Sequence, residues 1–142
     1  MRLVLDTGVL GQICHPRKYH DVRAWFRRAV REHEFLLSEV ADYELRRELL
    51  RIDSRQSLAR LDELTRELWY LPTTTATWRS AARLWAEQRR LGRVTAEGLD
   101  GDVLIAAQAI AELAAVVTSN DKHFAGIVDA YPWTAVPLAS PV

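Results

Sequence analysis

Two hydrophobic periods alternate along this chain, and that alternation restricts the fold more than any other feature. Short apolar runs of strand character lie at Arg2–Leu5, 34–37, 69–72 and 114–117. Most of the sequence between them carries the three-and-four spacing of amphipathic helices. The pattern predicts a helix over His20–Glu32, where Val22, Trp25, Phe26, Ala29 and Val30 share a face. Further helices are expected over 38–52, over 54–67 through Leu58, Leu61 and Leu64, and over 75–91. In the last of these Trp78 and Trp85, seven residues apart, read as core packing. A strongly apolar helix is expected over 102–113. The segment Asp6-Thr7-Gly8 reads as the end of the first strand, 92–101 as a polar loop, and 134–138 as a final strand. Strands separated by helices pair in parallel through right-handed crossovers. The expectation is therefore an α/β fold, a mainly parallel sheet flanked by helices, in one domain spanning 1–142.

Composition enters as a set of exclusions. Hydrophobic residues make up 49% of the 142, enough for a core and too many for a disordered chain. Nineteen basic residues balance nineteen acidic ones, so no global positive field draws nucleic acid to the surface. Any such binding must use a local patch or metal ions. Only Lys18 and Lys122 among the basic residues are lysines; arginine suits bidentate phosphate contact, and it also follows from GC-rich coding. Cys14 is the single cysteine, which rules out an intrachain disulfide and fits a reducing compartment. Asp6 interrupts the first apolar run before a signal-peptide core could form. No stretch approaches the roughly 18–20 apolar residues of a membrane span. A cytoplasmic location is expected.

The acidic residues carry the chemistry. In an open parallel sheet, ligands bind beyond the carboxyl ends of the strands. Asp6 stands there after Leu3-Val4-Leu5, and Asp121 stands there after Val116-Val117. Each taken singly is an ordinary cap or turn residue. A helical wheel turns Glu44 and Glu48 toward the apolar side of the helix that starts near Ser38, and it does not choose between them. Asp102 heads the stripe Ile105, Ala106, Ala109, Ile110 and Leu113, with Asp100 positioned to cap that helix. Taken together, two acids end strands and two lie on inward helix faces, so all could meet at one rim. Carboxylates packed together repel and raise one another's pKa. A hard divalent cation removes that conflict, and oxygen ligands suit Mg2+ or Mn2+. No pair of Cys or His has zinc spacing.

Four segments in order resemble the PIN-domain ribonucleases, most closely the VapC-type toxins of bacterial type II toxin–antitoxin pairs. These are Leu5-Asp6-Thr7, the run from Ser38 to Leu45, the run from Asp102 to Ala107, and the run from Val117 to Phe124. The resemblance spans nearly the whole chain. It implies a PIN-like three-layer sandwich, and it selects Glu44 over Glu48 and Asp102 over Asp100. For the fourth acid it leaves Asp121, the stronger ligand, and Asn120, two residues after Thr118. It implies a Mg2+-dependent endoribonuclease that leaves a 3′-hydroxyl and a 5′-phosphate, with Asp6, Glu44, Asp102 and Asp121 holding one or two cations. Thr7 and Thr118 are placed to orient those ligands. It also implies a cognate antitoxin near the active site and a homodimer.

Other functions make different demands. A phosphotransfer receiver wants an acidic doublet after its first strand, and only Asp6 is present. An aspartyl-phosphate hydrolase wants a second Asp two residues after the nucleophile, where Gly8 stands. A catalytically degenerate PIN-fold module that binds RNA or a partner would keep the fold and bind Mg2+ poorly. His15, His20, His33 and His123 form no constellation with Cys14 or a serine, which leaves a nucleophilic triad without support.

Overall fold

A computed structural model of the chain describes residues 1–92 and 99–139. Five strands form one sheet: β1 (Arg2–Leu5), β2 (Glu34–Ser38), β3 (Trp69–Leu71), β4 (Ala115–Val117) and β5 (Ala130–Tyr131). Their order is β3-β2-β1-β4-β5 and every pairing is parallel. Six helices flank the sheet: α1 (Thr7–Cys14), α2 (His20–Glu32), α3 (Glu39–Arg51), α4 (Arg55–Glu67), α5 (Thr75–Arg90) and α6 (Leu99–Ala111). This is the expected α/β sandwich. No helix among the described residues is long and apolar enough to cross a membrane.

The central strand is fully buried at Leu3, Val4 and Leu5, and β2 and β4 bury Leu36, Leu37, Val116 and Val117 beside it. Continuous burial, rather than alternation, is what a sheet covered on both faces requires. The amphipathic helix α2 presents Val22, Trp25, Phe26 and Ala29 to this core. Trp25 and Phe26 meet Phe35 of β2 edge-on, with ring centroids 5.8 and 5.1 Å apart. Such pairs add roughly 0.5–1.5 kcal/mol beyond the area they bury.

Five expectations are corrected. Residues 7–14 form α1, an eight-residue helix capped by Asp6, whose side chain accepts from the Thr7 N–H. Gly8 and Gly11 weaken the helical signal there, and burial of Val9, Leu10, Ile13 and Cys14 supplies what propensity lacks. The last strand lies at 130–131, not 134–138. Val116 and Thr118 donate to the carbonyls of Asp129 and Tyr131, and after Pro132 the chain turns through a 3-10 helix, Trp133–Ala135. Trp133 there packs on Trp25 at 5.9 Å. Helix α6 starts at Leu99, so Asp100 lies within it, and the loop expected over 92–101 falls mostly outside the described residues. Finally, Trp78 and Trp85 are exposed, because α5 turns Ala81 and Leu84 toward Val103, Leu104 and Ala107 of α6. Ile110 and Leu113, assigned to the apolar stripe of α6, are exposed as well.

Candidate active site

The sheet grows from β1 in one direction to β2 and β3, then reverses to β4 and β5. The carboxyl ends of β1 and β4 therefore form its topological switch point, where α/β folds bind ligands. Asp6 leaves β1 there. Its backbone N–H donates to the Val117 carbonyl at 2.9 Å, which carries the ladder to the last possible rung. Both of its side-chain oxygens are held: Oδ1 accepts from the Thr7 N–H at 2.8 Å and Oδ2 from the Thr118 hydroxyl at 2.8 Å. The cap and the candidate ligand are thus the same carboxylate.

Glu44 approaches from α3. Its Oε1 accepts from the Thr7 hydroxyl at 2.9 Å. Its carboxylate lies so close to Gly101 of α6 that a Cβ there would stand 3.0 Å from Oε2 and 3.1 Å from Oε1. Glu48, the alternative on the wheel, is exposed and paired with Arg51, which holds its carboxyl below the ordinary value. The helical wheel failed to separate the two because it counts angle and ignores where the neighbouring helix ends.

Asp102, in the first turn of α6, completes the group. Burial pushes its carboxyl up to about 6, with the charges of Asp6 and Glu44 adding to the rise and His123 opposing it. Acids 38 and 96 residues apart from Asp6 along the chain therefore share one electrostatic neighbourhood. His123 Nδ1 lies 3.2 Å from Asp102 Oδ2, and His123 Nε2 lies 2.9 Å from the Asn120 side-chain nitrogen. Asn120 is anchored in turn by its N–H, which donates to Thr118 Oγ1 at 3.0 Å. Asp121 opens the 3-10 turn Asp121–Phe124, is exposed, and makes no hydrogen bond or ion pair among the described residues. The sequence excludes His123 from a nucleophilic triad without giving it another role, and it does not single out Gly101. The spacing Asn120-x-x-His123 at a strand's carboxyl end was the available signal for the first.

No three His, Cys, Asp or Glu side chains among the described residues converge with the geometry of a metal centre. Each acid is instead turned to a protein partner, leaving Glu44 Oε2 and Asp102 Oδ1 without one among the described residues. The donor set still suits a hard cation. Mg2+ is ordinarily held through one or two carboxylates and several waters, completed by substrate phosphate, rather than by a full protein cage. The rise at Asp102 from neighbouring negative charge is the repulsion that such a cation relieves.

The PIN domain family model matches residues 3–129. The chain belongs to the PIN domain family. Solved structures agree at the level of fold, the PIN chain here superposing along nearly its whole length. One is VapBC2 from Rickettsia felis bound to a DNA fragment from their promoter: TM-score 0.77, 21% identity, 94% of this chain and 99% of that one covered. A second is VapBC-5 of Mycobacterium tuberculosis, described as a member of the VapBC family of toxin–antitoxin systems: TM-score 0.62, 24% identity, 92% and 96% covered. A third is VapC20 of the same organism, a sarcin–ricin-loop-cleaving toxin: TM-score 0.67, 13% identity, 92% and 99% covered. No curated protein matches the sequence.

Proposed function

We propose that this PIN-domain chain is a Mg2+-dependent endoribonuclease, acting in the cytoplasm as the toxin of a VapC-type toxin–antitoxin pair. The observation that carries the proposal is that Asp6 and Glu44, both held by Thr7, flank the first turn of α6 at the switch point, with the Glu44 carboxylate against Gly101 and the charges of both acids felt at Asp102. These three would hold the cation, Mg2+ or Mn2+. When bound, it supplies Lewis acidity that activates water and stabilises the charge that develops on a phosphodiester under attack.

The chain's own residues prepare that event. The Thr7 N–H and the Thr118 hydroxyl clamp the Asp6 carboxylate, and the Thr7 hydroxyl orients Glu44. His123 does the same for Asp102. Its link through Asn120 to Thr118 joins the ends of β1 and β4 to α6. These contacts support Asn120 ahead of Asp121 for the fourth position, with Asp121 adding negative charge at the rim. Relatives solved as VapBC complexes support an antitoxin partner, and a homodimer follows from the same resemblance.

The direct test is cleavage of total RNA with and without Mg2+, comparing wild type with Asp6→Asn. Cleavage should require Mg2+ and should disappear in Asp6→Asn while its melting curve stays cooperative. Wild-type cleavage by Asp6→Asn would end the assignment. The absence of three convergent ligands among the described residues favours one other reading, a degenerate PIN module that binds RNA or a partner without cutting. Titration with Mg2+ separates the two: saturable binding lost in Asp6→Asn supports the nuclease.

A further inference from the structure

A second site-like feature lies apart from the carboxylates, where the end of α1 meets α2 and α4. A cavity of about 370 Å3 is lined there by Arg23, Arg27 and Arg60, together with Gln56, His15 and the single acid Glu63. In a chain with zero formal net charge this is a marked local imbalance.

The state of each cation sharpens the point. Arg60 is paired with Glu63 at 2.9 Å, so the one carboxylate in the cavity is already engaged. Arg23 is half-buried and has only neutral partners: the Pro16 carbonyl at 3.5 Å and His20 Nδ1 at 3.1 Å. Its Nε–H is buried with no acceptor. Arg27 lines the same cavity and has no carboxylate partner among the described residues. The Arg23 Nε–H, withdrawn from water without an acceptor, is the costly group here, while Arg27 extends exposed at the cavity mouth. Nothing in the mechanism above uses these groups.

The remaining lining agrees. His15 Nδ1 accepts the backbone N–H groups of both Arg17 and Lys18, so its ring presents Nε2 as the donor. Burial, with Lys18, Arg17 and Arg23, holds that ring below its ordinary pKa. Cys14 is buried and its thiol is pushed up to about 12 by that burial, which removes it as a nucleophile. What remains is a concave set of donors with an excess of positive charge, and the forked geometry of arginine matches phosphate oxygens two at a time.

We propose that the cavity between α1, α2 and α4 binds a phosphate group, with Arg23 and Arg27 as its principal ligands and Arg60 in support. The phosphate belongs either to a small phosphorylated molecule or to a backbone position of RNA held away from the carboxylates.

The test follows the arginine Nε–H signals of 15N-labelled protein during titration with inorganic phosphate at constant ionic strength. The Arg23 signal should move saturably in the millimolar range, and Arg27→Gln should weaken that response at least fivefold. Arg27 is exposed, so the variant should fold as wild type. An unsaturable shift, an equal shift with chloride, or an unchanged affinity in Arg27→Gln overturns the proposal, as does a site filled by an adventitious ion only. Two further arms assign the source. Adenosine 5′-monophosphate competing with phosphate at the Arg23 signal identifies a small ligand. Binding of single-stranded RNA, measured in the Asp6→Asn background, identifies the backbone if Arg27→Gln lowers the salt dependence by about 0.7 in log–log slope. None of these readouts requires cleavage, so the proposed nuclease activity can fail while this inference stands, and the reverse.

Discussion

Asp102 is held near 6 when folded, against 3.8 for an ordinary aspartate. A raised carboxyl means that the folded protein keeps its proton over a range where the unfolded chain has lost it. Stability of the metal-free protein should therefore fall as pH rises from about 4 through 6, and stay lower above that. Two pH units correspond to about 3 kcal/mol. Solvent at the open rim screens part of it, leaving an expected loss on the order of 1–2 kcal/mol. Denaturant melts of wild type and Asp102→Asn across pH 4–8 check this: the decline should vanish in the variant. At Gly101, an added Cβ would press on both Glu44 oxygens at about 3 Å. The obstacle is the end of a flexible side chain, so the fold should survive while the carboxylate moves. Gly101→Ala is expected to lose on the order of 10–100-fold in RNA cleavage, with a melting temperature close to wild type.

At the scale of elements, Gln108 joins what the sheet alone leaves loose. It is buried on α6, accepts from the Ser38 hydroxyl at 2.5 Å, and donates to the Leu71 and Pro72 carbonyls at 3.0 and 3.3 Å. Ser38 caps α3 and Leu71 ends β3, so one amide ties α6 to the start of the helix that carries Glu44. Gln108→Ala takes this partner from the buried Ser38 hydroxyl and Leu71 carbonyl and should destabilise by about 2–3 kcal/mol in urea melts. The end of α6 offers a gain instead. Leu113 sits at φ 53, in the left-handed region, with its side chain 89% exposed. Leu113→Gly removes a steric penalty of about 1 kcal/mol and sacrifices no packing, so its melting temperature should rise.

Across the whole molecule, the acids come from the end of β1, from α3 and from α6, elements far apart in sequence and joined through the sheet, the packing of α3 on α1 and α6, and the Thr7, Thr118 and Gln108 contacts. Cation binding should therefore stabilise the fold as a unit. Millimolar Mg2+ is expected to stabilise wild type, by about 2.7 kcal/mol at 100 times Kd, and so to raise its melting temperature. The gain should be larger above pH 6, where Asp102 is ionised. Differential scanning calorimetry should show no such rise in Asp6→Asn. An equal rise in both proteins would locate the Mg2+ effect elsewhere.

Much of this molecule was legible as sequence because periodicity is a local signal. The strands at Arg2–Leu5 and 34–37, the helix His20–Glu32 and the parallel order follow from residue spacing, and four short segments sufficed to indicate the family. Local patterns fail where partners arrive from elsewhere. α1 forms despite two glycines because a buried face secures it. The final strand sits at 130–131 because β4 has an open edge there. Trp78 and Trp85 are exposed because α5 turns Ala81 and Leu84, not its tryptophans, toward α6 and Val40 of α3. Glu44 and Glu48 occupy nearly the same angle on one helix, and the approach of Gly101 and Thr7 distinguishes them. Residue types and their order set which carboxylates were available. Which of them repel one another, and with what neighbours, depended on distances across the sheet that no one-dimensional pattern contains.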